Sequence, residues 1–173
     1  MITAKLLLAY LLQSADVYGL SVDTTKIDPQ EAYCLAENIY YEAGGEDIRG
    51  QIAVASVTIN RTKDPRFPST VCGVVQQSVT LKSTNKPICS FSWYCEDKKR
   101  DKDISLRNKD GTENLKLTEK FKNAIIIALK VLDGDIKDNT RGATHFHNPS
   151  QSQPSWRSSL IKTVSLGNHD FYK

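Results

Sequence analysis

The chain has 173 residues, 39% of them hydrophobic and 25% charged, and a net charge of +3. That length favours one domain with room for a real core, and the balance is that of an ordinary soluble protein. The charge is too weak to argue for a nucleic-acid partner, and no basic run is interleaved with aromatics.

The first stretch reads in two ways. Lys5 precedes an apolar run from Leu6 to Leu12, as in a short signal segment cut near Ala15. The same residues put Ala4, Leu7, Leu8, Leu11, Leu12 and Ala15 on one helical face. We favour a docked helix that stays on the mature protein. Stable membrane insertion is excluded for this stretch, because a spanning helix needs about 20 apolar residues. Val17 to Ile27 is a polar connector. The expected division is therefore 1–27, helix and connector, and 28–173, the main domain.

Asp28 opens the first long helix. It can N-cap, Pro29 suits the first helical position, and Glu31 completes a capping-box spacing. The helix is expected to stop at Gly44-Gly45 with a left-handed glycine. At about 100° per residue, Leu35, Ile39 and Glu42 share a face. An ionisable carboxyl thus ends a stripe that faces the core. There it must stay protonated, find a partner or do chemistry, unless it simply turns back to solvent.

A second helix, Asp47 to about Arg61, carries Ile48, Ile52, Ala55 and Ile59 on one stripe and Val54 and Val57 on others. A helix apolar nearly all round is central. Asp64 to Pro68 is a turn, and Ser69 or Thr70 can cap a short helix through Val75. From Ser78 to Trp93 the alternation predicts a β-hairpin about a turn at residues 83–87. Residues 96–103 are charged at all eight positions and read as a solvated loop. A third long helix is predicted from Thr118, as cap, to Asp133, with Phe121, Ile125, Ala128 and Leu132 inward and Gly134 as the stop. Ala143 to His147, Leu160 to Leu166 and His169 to Tyr172 are strand-like, with a turn at Gly167-Asn168. The fold class is α+β, a helical core with a small antiparallel sheet.

The four cysteines, Cys34, Cys72, Cys89 and Cys95, lack paired zinc-knuckle spacing. Cys34 reads as a small buried hydrophobe, and the other three could include one disulfide outside the cytoplasm.

Three groups of residues could carry chemistry. Glu42 can act as a general acid, with Glu46 as a second carboxylate or a helix cap. His145 and His147 alternate on a strand and could hold zinc with Glu42 or His169, or bind sugar instead. They lack a defined third ligand, so no metal and no cofactor is expected. Tyr40, Tyr41, Phe91, Trp93, Asn148 and Trp156, with Ser92 nearby, suit an amino sugar, although Trp and Phe at such positions often belong to the core.

The runs Cys34 to Glu46, Gly50 to Ala55, Asn60-Arg61, Phe67 to Val75, Cys89 to Cys95, Gly142 to Asn148 with Pro154 and Trp156, and Gly167 to His169 with Phe171-Tyr172 occur in order. Together they resemble the catalytic domain of SleB/CwlJ-type cell-wall hydrolases, the spore cortex-lytic enzyme family. The chain departs from that family's Glu-Ala-Arg-Gly-Glu by having Gly44 in place of the arginine. The resemblance implies a lysozyme-like domain acting at the bacterial cell wall on peptidoglycan glycan strands; a monomer without cofactor is expected. It implies Glu42 as the catalytic acid of a lytic transglycosylase that cuts between N-acetylmuramic acid and N-acetylglucosamine. Tyr41, Glu46, Ser92, Trp93, His145, His147 and Asn148 are the expected substrate contacts. The alternatives are a zinc-dependent amidase acting on the wall's peptide stem and a wall-binding module without catalysis.

Overall fold

The computed structural model describes residues 22–96 and 115–173. The expected N-terminal helix and nearly all of the charged run lie outside these residues. Three long helices and a short one enclose the main core: α1 (Pro29–Ala43), α2 (Ile48–Thr62), α3 (Val71–Val75) and α4 (Leu115–Asp133). A two-stranded hairpin, β1 (Ser78–Leu81) and β2 (Lys86–Cys89), projects between α3 and α4 in sequence. The C-terminal strands β3 (His145–His147), β4 (Lys162–Leu166) and β5 (His169–Tyr172) form an antiparallel sheet in the order β3-β5-β4. This is the α+β architecture that the sequence pattern implies.

The helix starts follow their local chemistry. Asp28 accepts from Gln30 N at 2.7 Å, Asp47 from Gly50 N at 2.9 Å and Thr70 from Gly73 N at 3.0 Å, each satisfying a first-turn donor. Glu31 does not close a capping box on α1. Its carboxylate reaches Val71 N at 2.5 Å and Cys72 N at 3.3 Å, so it caps α3 from a distance. The open N–H groups at the start of α3 are a favourable partner for an anion.

The stop of α1 also differs from expectation. Gly44 is right-handed, with φ −63°. A Cβ there would lie 2.4 Å from the Tyr40 carbonyl oxygen, so close approach rather than handedness requires glycine. The α4 helix begins at Leu115, which makes Thr118 an interior residue rather than a cap. It ends at Gly134, which is left-handed at φ +82°.

The α2 helix is central and buried on more than one side, as expected: Ala55 is in the core with Ile52 and Ile59 packed against it, and of the predicted stripe Ile48 alone turns outward. Val54, Val57, Thr58 and Arg61 are buried, whereas Ile48 is 60% exposed. One side of α2 joins Leu35, Ile39, Phe121 and Leu129 in the helical core through Ala55. The other side, Ala53 and Val57, packs on Ala143, Leu166 and Phe171 of the sheet region. Phe146 touches both clusters.

One disulfide fits the cysteine reading and the other departs from it. Cys89 joins Cys95, tying the end of β2 to the 3-10 turn after it, as expected of that group, whereas Cys34 joins Cys72 and ties α1 to α3. Cys34 is therefore a cross-link as well as a buried group. The hairpin itself is shorter than predicted. Lys86 and Pro87 lie in β2, and Phe91 and Trp93 lie beyond it, Trp93 in a 3-10 turn spanning Ser92–Cys95.

Candidate active site

The site is built at the end of α1. Leu35 and Ile39 are fully buried on the stripe that leads to Glu42. Burial pushes the Glu42 carboxyl up to about 7, and the Arg61 guanidinium opposes that rise. A carboxylic acid with such a value is half protonated near neutral pH, the condition for a general acid.

Arg61 comes from the last turn of α2 and is 7% exposed. Its Nε donates to the Thr144 carbonyl at 2.7 Å. Its guanidinium carbon sits 5.1 Å from the Phe67 ring centre and 5.0 Å from that of Phe91. Burial lowers the Arg61 pKa to about 10, against the raising effect of Glu42, so it is a cation throughout the working range. The sequence reading gave Arg61 no role. The signal was present, because Val54, Val57, Thr58 and Arg61 recur at helical spacing and place a cation on a buried stripe.

A buried polar chain holds α1 in place beside the site. Trp93 Nε1 donates to Asn38 Oδ1 at 3.0 Å, Asn38 Nδ2 donates to Thr58 Oγ1 at 3.0 Å, and Thr58 Oγ1 donates to Val54 O at 3.1 Å. Every member of this chain has a partner, so it sets the α1–α2 contact without leaving an unpaired buried group. Tyr41 stacks on Trp93 at 4.5 Å between ring centres. Trp93 is only 8% exposed, so it serves chiefly as the platform for Tyr41 and offers little of its own face to a ligand. Ser92 is exposed at the start of the same turn.

His145 and His147 point to different surroundings. His145 is half-buried, its Nδ1 3.0 Å from Thr144 Oγ1, and its ring lies 5.9 Å from Phe67 and 5.1 Å from Trp156. Burial lowers its pKa, and the charges of Arg61 and Arg66 add to the fall. His145 therefore shares the Arg61 corner with Glu42. His147 is buried, with Nδ1 3.0 Å from Ser152 O and Nε2 3.2 Å from Tyr172 Oη. Both of its nitrogens already have protein partners, which a metal would have to displace. Among the described residues no three His, Cys, Asp or Glu side chains group as a metal site. Asn148 turns its Oδ1 to Ser150, accepting from N at 3.0 Å and Oγ at 2.6 Å, and so shapes the loop after β3.

Glu46 belongs to a second polar centre. Its side chain is 8% exposed, with Oε1 2.9 Å from His169 Nδ1 and Oε2 3.4 Å from Asn168 N. The imidazole contact is close in distance but off the line of a good hydrogen bond. A Cβ on Gly50 or on Gly167 would fall within 2.3 Å of the same carboxylate. Both glycines thus leave the space that Glu46 fills, and Gly167 also takes φ +58° in the β4–β5 turn. Burial lowers the His169 pKa, Glu46 raises it, and His147 lowers it further. This arrangement ties the loop after Glu42 to the sheet and leaves Glu46 little surface for a sugar. Glu46→Gln is expected to cost about 1 kcal/mol of stability, the scale of one hydrogen bond. As a structural group its loss is expected to cost less than ~10-fold in rate, where a second catalytic carboxylate would cost ~10²-fold. Thermal unfolding and a rate assay measure the two.

The family model described as Cell Wall Hydrolase matches residues 45–172. The chain belongs to the cell wall hydrolase family. The matched span contains Arg61, both histidines of β3 and the Glu46–His169 pair, and begins three residues after Glu42. Among similar sequences, the spore cortex-lytic enzyme of Halalkalibacterium halodurans is 27% identical over 79% of this chain and 33% of its own length. That of Bacillus subtilis is 49% identical over a shorter stretch, 24% of this chain and 13% of its own. The chain spans about a third of the first of these relatives. Among solved structures, the catalytic domain of the germination-specific lytic transglycosylase SleB from Bacillus anthracis matches with a TM-score of 0.59 and 26% identity. That match covers 86% of this chain and 98% of that one. The catalytic domain of the Bacillus cereus SleB protein matches with a TM-score of 0.52 and 28% identity, over 83% and 91% of the two chains.

Proposed function

We propose that the protein cleaves the glycan strand of peptidoglycan between N-acetylmuramic acid and N-acetylglucosamine, as a lytic transglycosylase whose acid and base are both Glu42. The observation that carries this reading is a half-buried carboxyl at the end of α1, held up to about 7 by desolvation, with the buried Arg61 within electrostatic reach. A two-carboxylate mechanism has less support, because Glu46 is occupied by His169 and Asn168. The likeness to a domain described as a lytic transglycosylase points the same way.

In this mechanism the protonated Glu42 gives its proton to the glycosidic oxygen as the bond from C1 of the muramic acid breaks. The sugar's own C6 hydroxyl then closes on C1 and returns its proton to the Glu42 carboxylate. The products are a 1,6-anhydro end and a free 4-hydroxyl, and no water is consumed. His145 and Trp156, 5.1 Å apart between ring centres, and the Tyr41 face offer aromatic surfaces near this corner for sugar rings.

The place of action is the wall, outside the cytoplasm. Two disulfides suit an oxidising compartment, and no helix among the described residues is long and apolar enough to cross a membrane. The reading needs no metal and no second protein chain. Its test is digestion of purified wall by the folded protein in excess EDTA. Undiminished solubilisation is expected. Loss of activity that zinc restores would turn the reading to an amidase, and binding without solubilisation would turn it to a wall-binding module.

A further inference from the structure

Arg61 is a costly residue for its position. A cation that is 7% exposed forfeits its hydration, and one of its terminal nitrogens, Nη1, is buried without a hydrogen-bond partner. Space-filling alone would be served better by an apolar side chain of similar size. The surroundings instead hold the guanidinium still. Phe67 and Phe91 clamp it at 5.1 and 5.0 Å, and the Thr144 carbonyl takes its Nε–H at 2.7 Å. The contact of Asn38 with Thr58 pins α1 against α2. Glu42 lies one turn from Asn38 and Arg61 one turn from Thr58, on the faces that the two helices turn toward each other.

We propose that Arg61 is a positioning residue for Glu42, a fixed buried cation that steadies the carboxylate left after proton transfer and so lets one glutamate act first as acid and then as base. The inference rests on Glu42 being the acid. Without a nearby cation, a buried carboxylate would be a poor leaving state for the proton, and the first step would stall. With one placed in direct contact, the carboxyl would ionise too early to act as an acid. An arginine within electrostatic reach, but held by a backbone carbonyl and two rings, lies between these limits. The other charged and titratable groups at this corner act one remove away. His145 of β3 interacts with Arg61, and Asp64 and Arg66 of the turn after α2 interact with His145. Burial, with the charges of Arg61 and Arg66, lowers the pKa of His145, whereas burial raises that of Glu42.

The experiment is the pH profile of kcat/KM for wall digestion by the wild type, Arg61→Gln and Arg61→Lys. Arg61→Gln keeps a planar N–H donor for Thr144 and loses the charge. Its alkaline limb is expected to move up by about one pH unit, with a lower plateau. Arg61→Lys keeps the charge without the fork or the stacking, and is expected to hold the rate within about tenfold. An unmoved alkaline limb in folded Arg61→Gln overturns the inference. Should Arg61→Gln not fold, a folded Arg61→Lys that has lost more than about tenfold overturns it instead, because a purely structural guanidinium would not be replaced by an ammonium. Full activity in Glu42→Gln is a different failure, that of the catalytic assignment itself.

Discussion

Glu42→Gln is expected to slow glycan cleavage by at least ~10²-fold, the lower range for loss of acid–base catalysis, while the protein folds as well as before or better. Glutamine keeps the shape and removes the proton source. The stability effect has a sign set by linkage. The unfolded carboxyl titrates near 4.5 and the folded one is pushed up to about 7, so the folded state holds its proton longer. Glu42 therefore contributes stability at low pH that is lost progressively as pH rises from the first value through the second. Glutamine carries no such dependence. Relative to wild type, Glu42→Gln is expected to gain stability across that window, by at most about 3 kcal/mol above it. Denaturant unfolding at pH 5 and pH 8 reads the difference, and a variant that gains nothing at pH 8 would mean that Glu42 is better hydrated than its place on α1 implies.

The second large effect concerns the fold. The Cys34–Cys72 bond closes 38 residues of chain. On a loop-entropy account, replacing both cysteines by alanine is expected to destabilise by about 4 kcal/mol, and removing Cys89–Cys95, which closes 6 residues, by about 2 kcal/mol. The larger figure is comparable to the whole stability of a marginal domain. The cross-link also lies beside the contacts of Glu31 with the start of α3, so its loss loosens two supports of α1 at once. Urea unfolding of the double variant against wild type tests this. A loss below about 1 kcal/mol would place the constraint elsewhere in the chain.

Features with a local cause were legible in the sequence. Asp28 and Thr70 bond to their own helix starts, and such caps are readable within four residues, although α2 is capped by Asp47 and not by its neighbour Glu46. The Leu35–Ile39–Glu42 stripe follows from helical spacing alone, and the Gly167-Asn168 turn from the residue type that tolerates φ +58°. Features set by distant partners were not legible. Glu31 has a capping-box spacing, yet its partners lie 40 and 41 residues away on α3. Cys34 resembles a core hydrophobe until α3 brings Cys72 to it. On α2 the predicted stripe meets the helical core through Ile52, Ala55 and Ile59, but its first member, Ile48, turns outward, and Val54, Val57 and Arg61 are buried as well. Burial of Ile48 was read from hydrophobicity, and hydrophobicity cannot say which side of an apolar helix meets its neighbours.

The candidate site shows the same division. Glu42 stood out because a carboxyl on an apolar stripe is anomalous within one helix. Glu46 and Trp93 were drawn toward substrate because their neighbours in sequence suggested it. Tertiary contacts give both another occupation, with His169 for Glu46 and with Asn38 and Tyr41 for Trp93. Arg61 needed the positions of α1, Phe67 and Phe91 before its charge acquired a meaning.

Mass analysis of the fragments released from purified wall tests the central claim most directly. The wild type is expected to leave glycan ends of 1,6-anhydro-muramic acid, lighter by one water than a reducing end, and Glu42→Gln to release them at least ~10²-fold more slowly. Reducing muramic ends from the wild type, or anhydro ends released by folded Glu42→Gln at the wild-type rate, would contradict it.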